Sequence, residues 1–192
     1  MHATPLRRHP STPDDIVTGI TVEVDSLTTD LLVLYFRVTG NIDRLQLPAQ
    51  AASKFQDELW KHTCLEAFLA FADSDVYYEF NFSPSSQWAV YRFDGYREGM
   101  TPLHPAPPPR VIVRRREGEL DFDVDIHLGA IPGLTADDIK DRELRMAVSA
   151  VMESDQGRKS YWALAHPQGK PDFHHRDGFA LVLDGGLAGD PV

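Results

Sequence analysis

The stretch WKHTCLEAFLAFADSDVYYEFNFSPSSQWAVYRFDGYREGM, Trp60 to Met100, decides how the rest of the chain is read. It predicts three successive strands, separated by turn signals at Asp73-Ser74-Asp75 and Ser83-Pro84-Ser85-Ser86. In the first, alternation places Cys64, Glu66 and Phe68 on one face and Leu65, Ala67, Leu69 and Phe71 on the other. In the second, Val76, Tyr78, Phe80 and Phe82 share the core face, and Tyr77, Glu79 and Asn81 the opposite one. The third, Trp88 to Asp94, sends Trp88, Val90 and Arg92 one way and Ala89, Tyr91 and Phe93 the other. Glu66 and Glu79 thus interrupt strands that are otherwise apolar and aromatic. An unpartnered carboxylate costs on the order of several kcal/mol to bury. These two residues are therefore the sharpest functional hint in the sequence, and they suggest binding more than catalysis.

Upstream of this stretch, Gly19 to Asp25 alternates with Ile20, Val22 and Val24 on one face, as a half-buried strand does. Asp30 to Thr39 is nearly continuous apolar and suits a central strand, and Ile42 to Leu47 predicts a shorter third one. Pro48 to Leu59 reads as a long loop or a turn of helix. Downstream, the proline-rich Thr101 to Pro109 cannot donate a sheet ladder and is expected to run extended over the surface. Arg110 to His127 predicts a hairpin turning at Glu117-Gly118. That register sets Arg116 against Glu119, Arg114 against Asp121 and Arg110 against Asp125, with Val113 against Phe122 and Val111 against Val124. Thr135-Ala-Asp-Asp138 has the form of a capping box opening a short helix. Leu144 to Met152, Tyr161 to His166 and Phe179 to Asp184 then close the sheet.

This pattern holds roughly ten to eleven strands and no strand–helix–strand rhythm. The expected fold is all-β: a two-sheet antiparallel β-sandwich, jelly-roll or immunoglobulin-like, with one or two short helical turns. One domain is expected over residues 16–185, with a loose arm or extended edge segment over 1–15 and a frayed tail over 186–192.

Ten Phe, six Tyr and three Trp within a 42% hydrophobic composition supply a sizeable core for 192 residues. A net charge of −10 argues against nucleic-acid or anionic-membrane partners, which demand a basic face. No apolar run approaches a membrane span. The opening MHATPLRRHPSTPDD has basic residues without an apolar core behind them, unlike a secretory signal. With a single cysteine, Cys64, the expected location is cytoplasmic.

Trp60 six residues before Glu66, the EAFLAF strand, YYEFNFSPSSQWAVYRF and the later YWALAHPQGKPDFHHRDGF resemble the DOMON-like proteins related to family 9 carbohydrate-binding modules. The resemblance covers most of residues 58–183. It implies a jelly-roll-like sandwich whose relatives bind sugars or haem. It further implies that Trp60 clamps a pyranose while Glu66, Glu79, Asn81 and Arg92 grip hydroxyls, with Trp162 or Phe173 as the second clamp. Aromatic faces suit the C–H face of a sugar, and planar polar groups take adjacent hydroxyls in pairs. Unlike the extracellular modules, this sequence shows neither a secretion signal nor an attached catalytic domain. The expected partner is therefore a small saccharide or sugar-like ligand.

Set against this, Glu66 could pair structurally with Arg92 or Arg97, and Trp60 could simply pack at the sandwich rim. His174 and His175, with Asp172, His166 and His62, lack metal-ligand spacing, so no metal is expected. PDFHHRDGF is instead expected as a structured loop at the pocket rim, its polar rings bonded to backbone. No cofactor is expected. Haem is the alternative through Met100 and His104, whereas Met146 and Met152 read as core filler. A glycoside-processing enzyme using Glu66 and Glu79 as an acid–base pair, and an interaction scaffold with a vestigial pocket, are the remaining alternatives.

Overall fold

A computed structural model describes residues 3–12, 16–27 and 30–183. Its strands are β1 (Thr4–Pro5), β2 (Arg7–Arg8), β3 (Val17–Leu27), β4 (Leu31–Gly40), β5 (Cys64–Phe71), β6 (Tyr77–Phe82) and β7 (Trp88–Phe93). They continue with β8 (Thr101–Leu103), β9 (Arg110–Arg116), β10 (Glu119–His127), β11 (Leu144–Glu153), β12 (Lys159–Ala163) and β13 (Leu181–Leu183). Two antiparallel sheets result. The smaller runs β1-β3-β4-β10-β9 and the larger β2-β12-β11-β5-β6-β7-β8, with β13 alongside β11. The chain is an all-β sandwich with one short α-helix, α1 (Ala136–Ile139), and a few 3₁₀ turns. Among the described residues no helix is long and apolar enough to cross a membrane.

The main core lies between the sheets. Leu34, Phe36 and Val38 of β4 and Leu120, Phe122 and Val124 of β10 meet Leu65, Ala67, Leu69, Phe80, Phe82 and Val90 of the larger sheet. The β9–β10 register pairs Arg116 with Glu119, Arg114 with Asp121, Arg110 with Asp125, Val113 with Phe122 and Val111 with Val124, as the alternation predicts. Gly118 supplies the positive φ of the turn, and Arg110–Asp125 and Arg116–Asp121 form ion pairs at 2.9 and 2.6 Å on the solvent face. The Thr135–Asp138 capping box is formed in both directions at the start of α1.

Two segments differ from expectation. Ile42–Arg44 is a 3₁₀ turn, which buries Ile42 after the chain leaves β4 at Gly40. Leu45 keeps one isolated bridge, to Ser154. Thr101–Leu103 does join the sheet, because β8 is its edge, where the missing N–H of Pro102 leaves no neighbouring strand unpaired. The described part of the opening arm takes the extended-edge alternative, with β1 adding to β3 at the edge of one sheet and β2 to β12 at the edge of the other. The expected tail, 186–192, lies outside the described residues.

Gly40 has φ +143°, and a Cβ there would lie 2.1 Å from the Ile16 carbonyl oxygen. Gly40→Ala should therefore cost at least about 2 kcal/mol. It would be read as a lower urea midpoint with an unchanged slope, and a wild-type midpoint would refute the strain.

Candidate functional site

The larger sheet is covered on both faces. On the side away from the smaller sheet, Phe68, Tyr77, Tyr91, Phe93 and Phe179 form a second apolar cluster, against which Trp60 and Phe173 pack. The parity of β5, β6 and β7 dictates this division. Residues 66 and 68 oppose 81 and 79 on one face, and 79 opposes 91 on the next strand. Glu66, Glu79 and Asn81 therefore come up among aromatics under a covering of loops. A cavity of about 360 Å³ opens there, lined by Trp60, Glu66, Glu79, Phe93, Arg97, Met100, Val151, Tyr161, Pro171, Phe173 and His174. Its size suits a small-molecule site.

Glu66 and Glu79 are 2% and 4% exposed, yet both border this cavity. Glu66 Oε2 accepts a hydrogen bond from the Ser149 hydroxyl at 3.0 Å, and Glu79 Oε1 accepts one from Asn81 Nδ2 at 2.7 Å. Neither has an arginine or lysine within 4 Å among the described residues. Burial, and then the nearby Glu79 charge, push the Glu66 carboxyl well above the usual range. Burial pushes Glu79 up to about 7. Asn81 stands behind Glu79 rather than at the wall; its Oδ1 accepts from the Cys64 thiol at 3.4 Å.

The covering loops add the remaining groups. Arg97 adopts a left-handed conformation (φ +57°) in the turn after β7, and its N–H donates to the Tyr77 hydroxyl at 3.2 Å. The Arg97 guanidinium binds Asp172 at 2.8 Å, and the Tyr96 hydroxyl also donates to Asp172. The Tyr77 hydroxyl meets His174 Nδ1 at 2.7 Å, which leaves Nε2 facing Glu79 Oε2 at 3.8 Å. That separation is too long for a hydrogen bond. Burial, and then the Arg97 charge, hold His174 down to about 4, so the ring is neutral at pH 7 and the contact is no ion pair.

Trp60, Glu66, Glu79 and Phe173 are brought together at the cavity, with Asn81 in support. Two expected residues are not. Arg92 shares the β7 face of Trp88 and Val90, which turns it away from Glu79, and it pairs with Asp94. Trp162 packs between the sheets, its indole N–H donating to Ser160 at 3.0 Å. Its neighbour Tyr161 faces the cavity instead, 6.0 Å from the Phe173 ring. His174 bonds a tyrosine hydroxyl rather than backbone. Arg97 and Tyr161 escaped sequence reasoning as site residues. For Tyr161, alternation against the core-facing Trp162 carries the signal.

Among the described residues no three His, Cys, Asp or Glu side chains gather to hold a metal. Met146 and Met152 lie in the inter-sheet core, His104 packs edge-on to Phe55, and Met100 borders the cavity.

No protein-family model matches the sequence, and no curated protein matches it. Solved structures do. A module from Caldicellulosiruptor kristjanssonii, of carbohydrate-binding module family 9 and in complex with glucose, aligns at a TM-score of 0.51 and 11% identity, covering 88% of this chain and 76% of that one. The chain has the family 9 module fold. The cellotriose complex from the same organism aligns at 0.51 and 12% identity, covering 88% and 74%. A Bacteroides uniformis protein, to which carbohydrate binding is provisionally attributed, aligns at 0.61 and 13% identity over 93% of this chain and 84% of its own.

Proposed function

We propose that the chain is a non-catalytic saccharide-binding sandwich of the DOMON-like type, its cavity holding one sugar unit against Trp60. The observation that carries this reading is a pair of buried carboxylates, Glu66 and Glu79, that face an aromatic-walled cavity with no arginine or lysine within 4 Å among the described residues, Arg97 acting on them only from farther off. Buried acids in a purely structural role are paired. Here each keeps one oxygen free of a protein hydrogen bond, available to sugar hydroxyls. Trp60, Phe93, Tyr161 and Phe173 supply apolar ring faces around them. The glucose and cellotriose complexes of the Caldicellulosiruptor module support the same ligand class for this fold.

The test is a saccharide panel, including amino sugars and cell-wall fragments, read by thermal shift. A ligand at about 100 times its Kd adds ~2.7 kcal/mol, a rise of roughly 5–10 °C for a chain of this length. Trp60→Ala should abolish the rise while the protein stays folded, since Trp60 is only half-buried on a 3₁₀ turn. A panel without any shift, or an equal shift in the variant, would refute the reading.

The elevated Glu79 carboxyl favours a second reading, glycoside hydrolysis with Glu79 as the protonated acid. It predicts turnover of aryl glycosides that Glu66→Gln abolishes; saturable binding without turnover excludes it.

A further inference from the structure

The cavity wall holds more acidic groups than basic ones. Glu66 and Glu79 are the acids at its wall, and Arg97 is the one arginine or lysine among its described lining residues. Arg97 is already engaged by Asp172, 2.8 Å away. His174 presents Nε2 to Glu79 but is a neutral ring. The carboxyl oxygens without a protein hydrogen bond are Glu66 Oε1 and Glu79 Oε2, since Ser149 occupies the other Glu66 oxygen and Asn81 the other Glu79 oxygen. A neutral hydroxyl satisfies either oxygen but adds no positive charge to that of Arg97, whose pull on both acids does not offset their burial. An ammonium supplies three donors and a positive charge at once.

We propose that the saccharide selected here carries a protonated amine, as a hexosamine does, and that its ammonium seats against Glu66 and Glu79. This rests on the saccharide reading above and names the class of sugar within it.

The two kinds of ligand differ in the sign of proton exchange. A neutral sugar shields the carboxyls further from water and draws protons on. An ammonium favours the ionised carboxylates and drives a proton off, principally from Glu79. Other titratable groups around the pair do not mask this exchange near pH 6. Cys64 and Tyr91 are pushed up by burial, and Tyr77 rises to about 12. Arg97 and Asp172 are locked in their ion pair, and His174 titrates near 4.

The experiment is calorimetric titration of the full chain with glucosamine, glucose and N-acetylglucosamine at about pH 6, below the amine's own titration, in buffers of different ionisation enthalpy. Glucosamine should bind at least about tenfold more tightly than the two uncharged sugars, release close to one proton, and weaken with added salt. Glu79→Gln should reduce the preference to a few-fold. Equal affinities, or proton uptake with glucosamine, overturn the charge assignment and leave the saccharide reading standing. Ethanolamine binding as tightly as glucosamine overturns both, because the ring then contributes nothing. Binding of none of these sugars overturns the hexosamine assignment, and silence across the wider panel removes the saccharide reading as well.

Discussion

Glu79→Gln should make the protein more stable above neutrality and a poorer binder. An unfolded chain releases a glutamate proton near the ordinary value of 4.5, whereas the folded chain holds the Glu79 proton up to about 7. Between those values the folded state carries more protons than the unfolded one, so stability falls as pH rises and the loss is complete above 7. At ~1.4 kcal/mol per pH unit, the ionised Glu79 costs the fold about 3 kcal/mol at pH 8. Glutamine keeps the shape and an acceptor for Asn81 Nδ2 but cannot ionise. Urea unfolding at pH 5 and pH 8 should show variant and wild type within about 1 kcal/mol at the lower pH and separated by roughly 2–3 kcal/mol at the higher. Parallel profiles would mean that Glu79 titrates normally and has a cationic partner. The accompanying loss of ligand affinity distinguishes a binding group from a mere defect, since sites are held at a cost in stability.

Trp162→Ala should do the reverse of Trp60→Ala. Trp162 is 6% exposed, packed between the sheets and tied to Ser160, so its removal opens a void in the main core. Truncations of this kind cost about 3–5 kcal/mol. Ligand affinity, measured where the variant remains folded, should change little, because Trp162 does not border the cavity. A stable Trp162→Ala protein that had lost its ligand would restore Trp162 as a clamp and undo the face assignment.

These two tryptophans show what the sequence could and could not supply. Period-two alternation across β5, β6 and β7 carries nearly all of the local placement, from Glu66 and Glu79 on one face to Phe80 and Val90 on the other. The same alternation sets Arg92 with Trp88 and Val90, against the role that the family resemblance implies for it. Where pattern and resemblance disagree, the pattern is right about the face. Arg97, which the sequence offers only as an ion-pair partner for Glu66, escapes alternation because it enters through a turn with a left-handed backbone. Its position depends on Asp172, 75 residues away. His174 likewise reaches Glu79 by loop closure across 97 residues from Tyr77. Such encounters leave no periodic trace. The β9–β10 register was legible because two independent faces agreed on it, whereas Ile42 to Leu47 was too short for alternation to separate a strand from a 3₁₀ turn.

The double covering of the larger sheet also divides labour between foundation and rim. Glu66 and Glu79 rise from strands buried on both sides, so neighbours of theirs such as Phe68 and Phe80 tolerate little exchange. Trp60, Arg97, Met100, Pro171 and Phe173 stand on turns and loops above them. A combinatorial library confined to those five positions would reshape the mouth while the paired acids beneath stay in register. New ligand preferences are therefore within reach of loop changes alone, with the scaffold untouched.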